Sequence, residues 1–146
     1  NHEHLKVHKE IRMLYKEIAE LGKPMAVYST PMTRTMDDKE RAKDVPRPLM
    51  AFPDDHWATV TSGEAFVGVF KYDTGEDALY VANHNALRPQ NMVISFKPED
   101  KKEVHVQIFN RAKGGWINMK PKDNRVSFEL GSGMGELLRI TGVKSL

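Results

Sequence analysis

Residues 63–85 read GEAFVGVFKYDTGEDALYVANHN. Phe66, Val67, Val69 and Phe70 are β-branched or aromatic, and Leu79, Tyr80 and Val81 repeat that chemistry. Between them lies Asp73-Thr74-Gly75-Glu76-Asp77, a polar run holding the glycine that a hairpin loop needs. The stretch therefore predicts two antiparallel strands. The same unit recurs at 92–96 (MVISF), 104–109 (VHVQIF), 116–119 (WINM), 126–130 (VSFEL) and 137–141 (LLRIT), with Pro, Gly, Asn, Asp or Lys in the gaps. Short strands at this spacing predict a mainly β chain, an antiparallel β-sandwich of seven to nine strands over 57–146. Its inner faces are expected from Phe66 or Val67 with Phe70, Leu79 or Tyr80 with Val81, and Ile94, Phe96, Val106, Ile108, Phe128, Leu130, Leu138 and Ile140.

The chain's 146 residues suffice for one domain with its own core. No apolar run is long enough to cross a bilayer as a helix. Lys and Arg number 22 against 20 Asp and Glu, interspersed rather than striped, so neither nucleic acid nor a membrane is an expected partner. Without cysteine there is no disulfide, thiol nucleophile or Cys-ligated zinc. The first residue is Asn1, which suggests a processed protein or a piece of a longer one.

Upstream of the strands, Leu5, Val7, Ile11, Leu14, Tyr15, Ile18 and Leu21 recur with helical spacing, predicting one N-terminal amphipathic helix over 3–21 within segment 1–24. Gly22-Lys23-Pro24 stops it. Leu14, Ile18 and Leu21 form an apolar stripe with no second helix to bury it, so they are the expected docking residues. The stripe would fold back on the strands, meet a missing domain or pair two copies as a homodimer. Residues 25–56 carry a short edge strand at Met25-Ala26-Val27-Tyr28, then a Pro-rich arm or linker with a helical turn expected over 37–43.

Three stretches carry a family resemblance. LYKEIAELGKPM at 14–25 resembles the last barrel helix of clan A-type TIM-barrel glycoside hydrolases; AFVGVFK at 65–71 with LYVANH at 79–84 is similar to the strand pair opening their C-terminal β-sandwich; and FELGSGMGELLRI at 128–140 resembles that domain's closing motif. The resemblance implies that segment 1–24 belongs to an upstream catalytic barrel of the same polypeptide. It implies that 57–146 is a non-catalytic accessory domain packing on that barrel, and that the protein is secreted or periplasmic. In such enzymes the catalytic carboxylates lie upstream of the last barrel helix, so no catalytic residue is expected here.

The residues themselves point the same way. Asp54-Asp55-His56 could do acid–base work or bind a cation, but Pro53-Asp54-Asp55 reads as the turn that delivers Trp57 into a strand. His4 and His8 stand four apart without a third ligand, and His105 alternates with Val104 and Val106, so no metal or other cofactor is expected. GSGMG at 131–135 lacks the Lys-Ser/Thr of a phosphate loop; its three glycines predict positive φ in a tight crossing. A carbohydrate-binding or adhesive module is the rival reading. Its sugar-stacking platform would draw on Trp116, Tyr72, Tyr80 and Trp57, with Asn118 as a hydrogen bonder and a polysaccharide as partner. A third reading is a protein-interaction domain. Asn83-His84-Asn85 reads as a turn capped by asparagine.

Overall fold

A computed structural model describes residues 24–144 apart from 38–39, 45–49 and 86; of 24, 32–37 and 40–44 it describes the backbone. The segment expected to form the N-terminal helix, with Leu14, Ile18 and Leu21, lies outside these residues, as do His4 and His8. The described chain is mainly β. In order, its strands are β1 (Pro24–Ser29), β2 (Met32–Asp37), β3 (Glu40–Asp44), β4 (Met50–Ala51), β5 (Ala58–Ser62) and β6 (Ala65–Lys71). There follow β7 (Asp77–Asn83), β8 (Gln90–Phe96), β9 (His105–Asn110), β10 (Gly115–Met119), β11 (Arg125–Leu130) and β12 (Gly135–Thr141).

The hairpin read from 63–85 is present. β6 and β7 pair from Ala65↔Asn83 to Lys71↔Asp77. Their loop closes through Tyr72 N donating to Glu76 O and Gly75 N donating to Tyr72 O, with Gly75 at φ 93°. This pair sits inside a seven-stranded sheet of order β10-β9-β12-β7-β6-β1-β4. The sheet is antiparallel except where β4 joins β1. A three-stranded antiparallel sheet has the order β11-β8-β5, and β2 with β3 makes a separate hairpin.

The two larger sheets give their inner faces to one core. Val67, Val69, Leu79, Val81, Val106, Leu138 and Ile140 come from the seven-stranded sheet; Ala58, Met92, Ile94, Phe96, Val126 and Leu130 come from the three-stranded one. Alternation explains the choice, because successive strand residues point to opposite faces. Phe66 and Phe70 therefore face away from this core, and Val67 and Val69 face into it. Ile108 and Phe128 lie on the inner face but are only partly buried.

Several expectations need correction. Among the described residues the two main sheets hold ten strands rather than seven to nine: the seven read over 63–141, the strand read at 25–28 (β1), the strand entered after Trp57 (β5), and β4, which was not read. Where a helical turn was expected over 37–43, Glu40–Asp44 pairs antiparallel with β2. Glu, Ala, Lys and Asp in that run are poor strand formers, and cross-strand pairing overrides the local preference. Of the glycines in GSGMG only Gly133 has positive φ, 63°. It donates to Asn85 O while the chain passes from β11 in one sheet to β12 in the other.

Candidate functional site

Residues facing away from the shared core define the surface of interest. Register places them in a transverse row across the seven-stranded sheet: Gly68 beside Tyr80, Tyr80 beside Leu137, then Phe109 beside Trp116. Leu137 and Phe109 are neighbours because Leu138 pairs with Ile108 one step on. The next row carries Phe70, Ala78, Arg139, Gln107 and Asn118. Ala78, Phe109 and Leu137 are buried here in a second apolar cluster, with Phe70, Tyr72, Tyr80 and Trp116 partly buried around them.

Two strand glycines let the rings lie flat. A Cβ on Gly68 would stand 2.7 Å from Cε2 of Phe70, and one on Gly135 would run into the Tyr80 ring. Glycine in a strand interior commonly marks such a close approach.

At one end this apolar surface meets a polar belt. Arg139 Nε donates to Gln107 Oε1 at 2.9 Å and pairs with Glu76 Oε2 at 3.2 Å; Gln107 Nε2 donates to Asn118 Oδ1 at 2.8 Å. The Arg139 guanidinium carbon lies 4.4 Å from the Trp116 ring centroid, a cation–π contact. Phe109 meets the same indole edge-on at 5.4 Å. With His105 and Thr141 these polar groups line a depression of about 260 Å³. At the opposite ends of β9 and β12, Arg111 pairs with Glu136 at 2.9 Å and also donates to Gly135 O. Burial pushes the Glu136 carboxyl above its usual range, and the Arg111 charge and hydrogen bond pull it back.

The structure thus brings Trp116, Asn118, Tyr72 and Tyr80 onto one face. Trp116 and Asn118 stand two apart on β10, and both tyrosines join the cluster that holds the indole. Trp57 does not belong to it: it is 3% exposed in the core and stacked near Phe96. Phe70, Phe109, Leu137, Gln107, Arg139 and Glu76 were missed as site residues. The sequence signal for three of them was paired apolar residues, Val69-Phe70, Ile108-Phe109 and Leu137-Leu138, which show that both faces of these strands are apolar.

Asp54-Asp55-His56 is a turn, with His56 N donating to Pro53 O at 3.1 Å. Both carboxylates are exposed, while His56 is 4% exposed among Tyr28, Phe52 and Trp57. Its Nδ1 lies 3.1 Å from Ala58 N, from which it accepts when unprotonated, and 3.2 Å from Ala58 O, to which it donates when it carries the proton. A cavity of about 140 Å³ lies beside it, lined also by Met25, Val69, Lys71 and the buried Asp77. Burial lowers the His56 pKa below 6.5, outweighing donation to Ala58 O and the Asp55 and Asp77 charges, which favour the imidazolium. With the folded value depressed, the unfolded chain takes up the proton first as pH falls. Stability should be full above 6.5 and decline as pH drops from there through the folded pKa. A series of thermal midpoints from pH 8 downward should show this decline, and His56→Gln should flatten it; an unchanged slope in the variant would assign the decline to other groups.

Asn83, largely buried, is the capping residue the sequence suggested. Its Nδ2 donates to Arg88 O and Gly131 O, and its Oδ1 accepts from Asn85 N and Gln90 Nε2. Among the described residues no group of three or more His, Asp or Glu is placed to hold a metal ion, and no helix is long and apolar enough to cross a membrane. No protein-family model matches the chain, and neither a curated protein nor a solved structure is similar to it.

Proposed function

We propose that the two main sheets form a β-sandwich that serves as a non-catalytic accessory domain of a glycoside hydrolase, packing on its catalytic barrel and stabilising it. One observation carries the packing role. A sheet whose second face meets water alternates apolar with polar residues, yet the seven-stranded sheet has an apolar cluster on each face. A sheet of this kind is a middle layer, and the layer over its outer face belongs to the rest of the protein. The link to a glycoside hydrolase rests on the resemblance of 14–25, 65–71 with 79–84, and 128–140 to the barrel-to-sandwich portion of such enzymes.

A second reading, a carbohydrate-binding module, is favoured by Trp116 lying beside the Gln107, Asn118, Arg139 and Glu76 belt, since aromatic faces and planar polar groups together recognise sugars. Against it, Arg139 already occupies a face of the indole.

A panel of chromogenic glycosides incubated with the chain alone should show no turnover, and affinity electrophoresis on polysaccharide gels should show no retardation. Turnover lost on changing Asp54 or Asp55 to Asn would overturn the accessory reading. Retardation lost in Trp116→Ala would replace it with the second.

A further inference from the structure

We propose that the cavity beside His56 is a binding site for a small neutral phenol, a single aromatic ring carrying one hydroxyl. Strand register sets its walls. Ala26 on β1 is paired with Val69 on β6, and Lys71 on β6 with Asp77 on β7; the turn before β5 brings His56 and Trp57 to the same cavity. Tyr28 and Trp57 supply aromatic surface, and Met25, 62% exposed, brings the lining out to solvent. Val69 faces the core side of its sheet, so this site is separate from the Trp116 surface and from the packing role proposed for that face.

Size, charge and hydrogen bonding together select the ligand. The cavity measures about 140 Å³, and one of about 150 Å³ is enough to take up benzene, so a single ring fits. Lys71 and Asp77 stand opposite each other in register and both line it, so their charges offset, while burial holds His56 neutral at neutral pH. A charged ligand would lose its hydration there without a net opposite charge to replace it. His56 supplies the polar contact. Its Nδ1 is turned to the Ala58 backbone, and among the described residues nothing hydrogen-bonds Nε2, although the side chain is 4% exposed. A buried ring nitrogen without a partner is costly, which favours a ligand that supplies one. Nε2 donates in one tautomer and accepts in the other, and a hydroxyl answers both. An apolar ring against Tyr28, Trp57 and Val69, with a hydroxyl on Nε2, is a phenol.

The test uses the whole chain, with phenol as the probe and toluene as the ring that lacks the hydroxyl. Heteronuclear NMR of the imidazole nitrogens should show the Nε2 resonance of His56 moving as phenol is added. Calorimetry should show phenol binding at least about tenfold more tightly than toluene, because a buried polar group left unpaired discriminates against the analogue without the hydroxyl. Ala26→Phe, which puts a ring into the cavity from β1, should weaken phenol binding at least about tenfold, and His56→Phe should abolish the preference for phenol over toluene. p-Cresol and N-acetyl-tyrosinamide then separate two sources of the same chemistry: equal binding assigns the site to a tyrosine side chain of a peptide, and binding of p-cresol alone assigns it to a free phenol. If a variant fails to fold, the His56 shift and the phenol–toluene comparison in the parent decide. An unmoved His56 resonance at millimolar phenol, equal affinity for phenol and toluene, or undiminished phenol binding by a folded Ala26→Phe would each overturn the proposal.

Discussion

Leu138→Ala should lower the free energy of unfolding by about 2–5 kcal/mol, the cost of removing a large core side chain and leaving a cavity. Leu138 is fully buried on β12, which lies between β7 and β9, and it faces Leu79 on one side and Ile108 on the other. A site braced by strands on both sides can collapse little, which favours the upper part of that range. Phe128→Ala, although it deletes more atoms, should cost less, because Phe128 is only partly buried on β11 at the edge of the three-stranded sheet. Urea unfolding of both variants checks the order. A larger loss at Phe128 would mean that the core is centred on the smaller sheet.

Gly142→Ala should be comparably damaging for a different reason. Gly142 has φ 84°, and an added Cβ would run into the carbonyl oxygen of Glu103, a backbone atom. Positive φ costs a residue with a Cβ about 1–2 kcal/mol, and a forced backbone shift typically adds about 1–3 kcal/mol, for a sum of about 2–5 kcal/mol. The shift would also disturb Glu99 N donating to Gly142 O and the Pro98↔Val143 bridge that closes the end of the chain onto the core. Gly75→Ala is the control: φ is 93° but nothing lies within 4 Å of its Cβ position, so only the conformational cost applies. Equal losses in the two variants would show that the Glu103 collision relaxes freely.

What was legible in the sequence follows from how far apart the interacting parts lie. The β6–β7 hairpin was readable because its turn chemistry and alternating strands are local, and the strands from β8 to β12 because their composition is. That β12 inserts between β7 and β9 was not, since long-range pairing leaves no local trace. β4 was hidden for a similar reason: Met50-Ala51 is a two-residue strand whose order comes from β1 beside it, so that β1, read as an edge strand at 25–28, is not at the edge. Alternation left Phe66 or Val67 open, and the fold decides for Val67. The outer face was half readable. Trp116, Asn118, Tyr72 and Tyr80 were picked out one by one for their chemistry, but that they share a face depends on the register of β10 on β9 and of β12 on β7. Arg139 and Gln107 drew no attention, being ordinary strand polar residues until pairing sets them beside the indole.

The reading frame upstream of Asn1 tests the central claim most directly. If the chain is the accessory domain of a glycoside hydrolase, sequencing the gene should reveal in that frame a (β/α) barrel with a pair of Asp or Glu residues at the C-terminal ends of its strands, where barrel enzymes hold their catalytic groups. A stop codon close upstream of Asn1, or a domain of another class joined to it, would contradict the account.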